Sequence, residues 1–194
     1  MSRSTTSGHR VRRVATAVLP VAVALGLGAC GEAEKAPLPR ATAANGTVFN
    51  SADAEFANDL LVQRAREFAL IDLTLERPLD SELTAFVDGA RTVRATEIEQ
   101  VTTWLTDWDK EVPATIRDHA AAHAGGHHFE EVENASDAEF AEAWVAAYRK
   151  ELEASDEIAA AEVAQGIFSD AKALAADVDD ANEAEAEQLA ELAG

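Results

Sequence analysis

Four long segments of this chain repeat apolar residues at intervals of three, four or eight positions, the spacing of one face of an α-helix. In the first segment the repeating residues are Phe56, Leu60, Phe68, Ile71 and Leu75. No segment alternates apolar and polar residues in the way that a half-buried strand does. The spacing predicts an all-α fold, with helices over about 53–77, 81–108, 136–165 and 168–192.

The two halves of the chain open alike. Residues 50–57 read Asn-Ser-Ala-Asp-Ala-Glu-Phe-Ala, and residues 135–141 read Ala-Ser-Asp-Ala-Glu-Phe-Ala, one residue shorter. Each opening leads into a long helix, a break and another helix, which predicts two similar hairpins that close into a four-helix bundle of ferritin-like topology. Ser136 with Glu139 three positions later predicts a capping box at the start of the third helix.

The first thirty residues have the layout of an export signal. Residues 1–13 contain four arginines and no acid, and an apolar or small run then leads to Leu27-Gly28-Ala29-Cys30. This ending resembles the lipobox of bacterial lipoproteins, in which the cysteine is acylated and becomes the mature N-terminus. Cys30 is the one cysteine of the chain, and an ordinary signal with an incidental cysteine is the alternative. We therefore predict a signal peptide over 1–29 and a lipid anchor on Cys30 that holds the protein at the extracytoplasmic face of the cell membrane.

Composition divides the rest of the chain. Residues 30–47 hold Pro, Gly, Ala and Thr without an apolar period, which predicts a flexible tether. The helical bundle is predicted over 48–194. Its first half covers 49–108, a linker containing His and Gly covers 109–135, and its second half covers 136–192.

Charge limits the classes of partner. The chain has a formal net charge of −20, and beyond residue 30 the 36 acidic residues face 12 basic ones. A surface this negative repels phosphate backbones, so nucleic-acid binding is excluded. A single cysteine excludes a disulfide framework and a cysteine-based zinc site. The sequence indicates the membrane as a partner, reached through the lipid. It specifies neither a protein partner nor an oligomeric state.

The openings of both halves, with the segment Glu97-Ile98-Glu99-Gln100-Val101-Thr102-Thr103-Trp104-Leu105, resemble the bacterial family catalogued as domain of unknown function 305. That family consists of exported helical bundles, often duplicated, some of which bind copper. The first half of a member reads Phe-Asn-x-x-Asp-x-x-Phe, as residues 49–56 do here. The resemblance covers about residues 49–192.

The resemblance also identifies the positions at which the family carries its His-His pairs, its methionines and the glutamine of its Gln-x-x-Glu-Ile segment. In this chain those positions hold other residues: Leu60, Gln63, Arg64, Leu70, Arg94, Val101, Trp144, Ala147 and Tyr148. The later Gln-x-x-Glu pattern falls on Asn182 and Glu185. Thioether and imidazole ligands select copper(I), and the one methionine is Met1. The resemblance therefore implies a retained scaffold without the family metal site, and no cofactor.

Two arginines among these positions have two interpretations. In one, Arg64 and Arg94 face inward and form ion pairs with acids such as Glu97 and Glu185, filling the space of the metal ligands. A buried arginine without such a partner costs several kcal/mol. In the other, both side chains extend outward onto a solvated face.

Four histidines lie in the linker. His119 and His123 are four positions apart, which places them on one face of a helix, while His127 and His128 follow two glycines. Imidazoles in this arrangement are ligands for zinc, nickel or copper(II). A polar loop with no bound metal is the alternative, because ligands on a loop lose entropy when they are ordered.

No nucleophile elbow, phosphate loop or Glu-x-x-His pair on facing helices occurs in the sequence. We therefore expect a non-enzymatic, membrane-anchored interaction or accessory module outside the cytoplasm. The alternative is an extracytoplasmic copper- or zinc-binding protein that uses the linker histidines.

Overall fold

The structure is a computed structural model, and it describes residues 37–113 and 127–192, apart from the side chains of residues 127 and 128. Within these residues the chain forms five helices: α1 (Ser51–Leu73), α2 (Ser81–Asp107), α3 (His127–Asn134), α4 (Phe140–Gln165) and α5 (Ser169–Leu192). Two short strands, β1 (Ala41–Thr42) and β2 (Val48–Phe49), pair antiparallel. The predicted all-α class is confirmed. The signal peptide, Cys30, His119 and His123 lie outside the described residues.

Polar side chains define where the first two helices begin. The Asn50 side chain accepts hydrogen bonds from the N–H groups of Ala52 and Asp53, and the Asp53 carboxylate accepts from the Asn50 N–H at 2.6 Å. This is a complete capping box, and it satisfies N–H groups that have no partner inside the helix. Asp80 caps α2 through the N–H groups of residues 82 and 83.

The predicted start of the third long helix is wrong. Ser136 and Glu139 bond to each other through their side chains, with Ser136 Oγ donating to Glu139 Oε2 at 2.6 Å. Neither side chain caps a helix, and residues 137–139 form a turn before α4 begins at Phe140. The second opening therefore resembles the first in sequence and differs from it in capping.

Two segments are more regular than the sequence predicted. Residues 41–49, most of which fall within the range assigned to the tether, form the β1–β2 hairpin, whose turn contains Gly46 with a φ of +89°. The ring of Phe49 stacks on Trp108 with centroids 4.5 Å apart, which joins the hairpin to the end of α2. In the range assigned to the linker, residues 127–134 form α3.

Helices α1 and α4 occupy the middle of the fold. Helix α1 packs along α2 and α4, and α4 packs along α1 and α5. The chain therefore contains two helical hairpins, α1–α2 and α4–α5, that meet through α1 and α4. None of the helices in the described part of the chain combines enough length and apolar character to cross a bilayer.

The buried apolar residues form two clusters. The first contains the stacked rings of Trp144 and Tyr148, the edge of Phe86 and the short helix α3 through Phe129 and Val132. The second contains Phe56, Trp104 and Trp108 with their neighbours from α4 and α5. Each long helix contributes to both clusters, at different points along its length.

Candidate functional site

Buried polar residues separate the two apolar clusters on every long helix. On α1 they fall between Leu61 and Ala69, and on α2 between Ala90 and Val101. On α4 the stretch between the two clusters contains Ser155, and on α5 it contains Asn182. We call this set the central polar layer, and its members are Gln63, Arg64, Glu67, Arg94, Glu97, Glu151, Ser155, Asn182 and Glu185.

An ionic cluster forms the heart of the central polar layer. Glu67 bridges two arginines, with Oε1 2.5 Å from Arg64 Nη1 and Oε2 2.5 Å from Arg94 Nε. Arg64 Nε lies 2.6 Å from Glu97 Oε2, and Arg94 Nη2 lies 2.6 Å from Glu185 Oε2. Arg64, Glu67 and Arg94 are completely buried. The inward interpretation of the two arginines is therefore confirmed, and the outward one is wrong.

The charges of this ionic cluster do not balance. Two guanidinium groups face three carboxylates, those of residues 67, 97 and 185. Burial acts to lower the pKa of Arg94, but the neighbouring carboxylates outweigh it and raise that pKa above its usual value. Burial also raises the pKa of Glu185, against the opposing effect of Arg94. Glu185 is therefore a carboxylate of this cluster that takes up a proton readily as the pH falls.

Tyr148 lies against this ionic cluster. Its side chain is completely buried, and its hydroxyl has no hydrogen-bond partner among the described residues. Burial, with the negative charge of Glu67, raises the pKa of Tyr148 well above its usual value. The phenol is therefore neutral at physiological pH, and it does not supply the charge that the cluster lacks.

Three further contacts extend the central polar layer across α1 and α4. Arg66 forms a bidentate pair with Glu151, with N···O distances of 3.0 and 3.1 Å, and Gln63 Nε2 donates to the same carboxylate at 2.8 Å. Arg64 Nη1 donates to Ser155 Oγ at 3.4 Å. Fork-shaped pairing of this kind fixes direction as well as distance, so it sets the register of the two central helices.

The structure divides the nine family ligand positions between the layer and the core. Gln63, Arg64 and Arg94 belong to the central polar layer. The other six are buried in the two apolar clusters: Leu60, Leu70, Val101, Trp144, Ala147 and Tyr148. These side chains do not fit a copper(I) ion, because guanidinium groups repel cations and none of the nine side chains supplies a sulfur or imidazole donor. In the described residues no group of three or more His, Cys, Asp or Glu side chains is placed to hold a metal ion.

Metal binding by the four linker histidines remains a prediction. His119 and His123 fall outside the described residues, and for His127 and His128 the structure gives the helical backbone of α3. Glu130 and Glu131 lie on the same short helix.

Two buried carboxyl groups, those of Asp53 on α1 and Glu162 on α4, lie near the end of α4. Asp53 Oδ1 accepts hydrogen bonds from the N–H groups of Ile167 and Phe168, at 2.8 and 2.9 Å, so it connects the start of α1 to the turn before α5. Glu162 is 1 % exposed, and neither of its carboxyl oxygens receives a hydrogen bond from an N–H group. A Cβ at Gly166 would overlap this carboxyl, so any larger residue there would require the Glu162 side chain to move.

The Glu162 carboxyl is protonated near neutral pH. Burial, followed by the hydrogen bond and negative charge of Asp53, raises the pKa of Glu162 to about 8, while Lys172 on α5 acts in the opposite direction. Glu55 and Asp59, which share a cavity wall with Glu162, are exposed and negative. Loss of the Glu162 proton would add a second negative charge beside Asp53 in this buried space, which favours the protonated form of Glu162.

Sequence reasoning identified part of this site. One interpretation of the resemblance paired Arg64 and Arg94 with acids such as Glu97 and Glu185, and all four belong to the ionic cluster. Glu67 was given no role, although its three-residue spacing from Arg64 is that of a helical ion pair. The Asp53–Glu162 pair gave no sequence signal, because its members are 109 positions apart and only the packing of α1 on α4 brings them together.

Replacing Arg94 with methionine should lower the free energy of unfolding by about 3–5 kcal/mol, because it leaves the carboxylate of Glu185 buried without a cation. Glu185→Met should lower the free energy of unfolding much less in the Arg94→Met variant than in the parent protein. Urea denaturation of the four proteins in the cycle measures the coupling. Arg91→Met is the control, since it breaks a half-exposed pair with Asp72 and should cost less than about 1 kcal/mol. Additive effects of the two substitutions would contradict the pairing.

The Glu162 pair predicts a pH dependence. Between pH 4.5, the ordinary value for this side chain, and about 8 the folded protein keeps a proton that the unfolded chain has lost. The free energy of unfolding should therefore fall as pH rises through this interval, and Glu162→Gln should remove that part of the fall. Denaturant titrations from pH 5 to 9 measure it, with Glu157→Gln on the exposed side of α4 as the control. Parallel pH profiles for the parent and Glu162→Gln would show that the proton is absent.

Comparison with known proteins supplies a family. A family model described as domain of unknown function (DUF305) matches residues 53–193. The match begins at the capping residue Asp53 and takes in both helical hairpins with the ionic cluster between them. No curated protein and no solved structure matches the chain. Since the matched residues make up most of the chain, this protein belongs to the DUF305 family.

Proposed function

We propose that this protein is a non-enzymatic, lipid-anchored lipoprotein of the extracytoplasmic face of the membrane, in which ion pairs have replaced the family metal site. It acts as an interaction or accessory module. Its two hairpins form a four-helix bundle of ferritin-like topology. The observation that carries the proposal is the buried ionic cluster of Arg64, Glu67 and Arg94, with Glu97 and Glu185 as its outer partners.

The positions of the two arginines support the loss of the metal site. Arg64 stands at one half of the family His-His pair, and Arg94 stands at the family glutamine before Glu-Ile. A guanidinium does not lose its proton in proteins, so it cannot donate a lone pair to a metal. Both guanidiniums are engaged by carboxylates at 2.5–2.6 Å. The space is therefore filled by paired arginines and carboxylates of this chain.

The burial of the ionic cluster supports a structural role for it. Arg64, Glu67 and Arg94 have no exposed surface, so neither a substrate nor solvent reaches them in this conformation. A general acid or base must come within hydrogen-bond reach of a substrate. The outer surface of the bundle, rather than its charged interior, is then the part that meets other molecules.

The proposal predicts the metal content of the native protein. The full chain purified from membranes of cells grown with added copper should contain substoichiometric copper and zinc by elemental analysis. The matched variant replaces His119, His123, His127 and His128 with alanine. Stoichiometric metal that this variant loses would establish the linker-histidine alternative, and stoichiometric metal that it retains would place a site between the helices. Either result overturns the loss of metal binding.

The lipid anchor has its own test. Cys30→Ser should move the protein from the membrane fraction to the soluble fraction and abolish incorporation of a radiolabelled fatty acid, because a lipobox cysteine carries the acyl chains. Ser7→Ala, in the basic head of the predicted signal, is the control and should leave both readouts unchanged. Retention of the serine variant in the membrane without label would show that another segment holds the protein there.

A further inference from the structure

The turn of the β1–β2 hairpin contains an asparagine that is followed by a glycine. Asn45-Gly46 is the one Asn-Gly pair of the sequence, and both residues are exposed. An asparagine side chain cyclises most readily onto the backbone nitrogen of a following glycine, because no Cβ obstructs the approach of the two atoms. Cyclisation releases the side-chain nitrogen as ammonia and so changes the residue chemically. The pair is therefore the position of this sequence at which spontaneous deamidation is sterically easiest.

The surroundings of Gly46 leave room for this reaction. Gly46 has a φ of +89°, and a Cβ at this position would meet no atom within 4 Å. The turn closes through Gly46 N–H, which donates to Ala43 O at 2.9 Å, and through Ala43 N–H, which donates to Thr47 O at 2.8 Å. Each strand that flanks the turn is two residues long. A hairpin this short opens locally at a low free-energy cost, which frees the reacting atoms.

Hydrogen bonds hold the reacting groups in place while the turn is closed. Asn45 Oδ1 accepts from Thr47 N–H at 3.0 Å, and Asn45 Nδ2 donates to Asp107 Oδ2, at the end of α2, at 3.0 Å. Cyclisation requires the Gly46 nitrogen to lose its proton and to reach Cγ of Asn45. The side-chain amide must therefore turn away from both partners before it reacts, so the contact with Asp107 opposes the reaction.

We propose that Asn45 is a modification site, which deamidates through a cyclic imide, and that Asp107 slows this reaction. The Gly46 nitrogen bonds to Cγ of Asn45, the bond between Cγ and Nδ2 breaks, and Nδ2 leaves as ammonia with the proton of the Gly46 N–H. Water then opens the imide. Cleavage between the Gly46 nitrogen and Cγ gives aspartate, and cleavage between that nitrogen and the backbone carbonyl carbon of Asn45 gives isoaspartate.

Either product weakens the contact between the hairpin and α2. A neutral amide that donates to Asp107 becomes a carboxylate, which has no proton to donate and which repels Asp107. Isoaspartate also adds one carbon atom to the backbone of the turn, between strands in which Ala41 pairs with Phe49. Phe49 in turn stacks on Trp108. Because ammonia is lost, the hairpin is loosened from the end of α2 in one direction only.

The first test incubates the purified full chain, solubilised in a non-ionic detergent, in a mildly alkaline buffer. Peptide mass spectrometry follows the conversion of each asparagine, and an isoaspartate methyltransferase measures the isoaspartate that forms. The variant is Asp107→Ala, which removes the acceptor of the Asn45 amide. The matched control is Glu111→Ala, which removes an exposed carboxylate from the segment that follows α2. Both variants have the same net charge.

We expect Asn45 to deamidate before any other asparagine of the chain, with isoaspartate among its products. Asp107→Ala should raise the rate about threefold, the effect of losing one hydrogen bond of modest strength, and Glu111→Ala should leave the rate unchanged. Earlier deamidation of another asparagine would overturn the modification site. Equal rates in the parent protein and Asp107→Ala, or equal acceleration by both variants, would overturn the role of Asp107.

A second test measures the consequence for the hairpin. Asn45→Asp should raise the rate of amide hydrogen exchange in residues 41–49, because the new carboxylate repels Asp107. The matched control is Asn58→Asp, which adds the same charge on α1 in place of an amide that donates to Asp59 Oδ1 at 2.9 Å. Exchange in residues 41–49 should not change in this control. Unchanged exchange in Asn45→Asp, or an equal rise in both variants, would overturn the loosening of the hairpin.

Discussion

The structure depends on the ionic cluster of five charged side chains, three of which are completely buried and two of which keep a small exposed surface. Taking a guanidinium or a carboxylate into the interior costs several kcal/mol, and only close pairing offsets that cost. Glu67 provides it by holding Arg64 and Arg94 at 2.5 Å, while Glu97 and Glu185 occupy the remaining sides of the two arginines. Because these residues come from α1, α2 and α5, their pairing requires all three helices to take one register.

Apolar packing alone would constrain this fold less. Alanine is common on both central helices, and cores of small aliphatic side chains accept alternative packings. The desolvation cost of a buried polar group is offset only in the arrangement that supplies its partners, which is how such groups specify register in helical assemblies. The bidentate contact of Arg66 with Glu151 adds the same constraint between α1 and α4. We therefore infer that the central polar layer aligns the two hairpins and that the apolar clusters on each side stabilise that alignment.

Local signals in the sequence predicted the helices and their faces, and they failed where tertiary contacts decide. The bounds of α2 agree with the sequence prediction, whereas α1 ends at Leu73, four residues before its predicted end at about residue 77. Ser136 and Glu139 have the spacing of a capping box but satisfy each other instead, and α3 lies in a range whose glycines and histidines indicated a linker. The arginine partners could be named because the resemblance to the family drew attention to Arg64 and Arg94, and a buried arginine requires a carboxylate. The Asp53–Glu162 pair could not, because burial, and not spacing, makes it.

The two buried acidic sites are neutralised in different ways. In the ionic cluster, arginines neutralise most of the carboxylate charge, and every charged group has a partner. At the junction of α1, α4 and α5, Glu162 has no cation within ion-pair distance among the described residues, and a proton takes that place. The ionic cluster still has one carboxylate more than it has guanidinium groups, and burial raises the pKa of Glu185 at its edge. Because a carboxylate loses its charge when it takes up a proton, protonation of Glu185 would remove this excess without an added cation. Buried carboxyl groups in this fold are therefore stabilised by arginines where these are within reach and by protons where they are not.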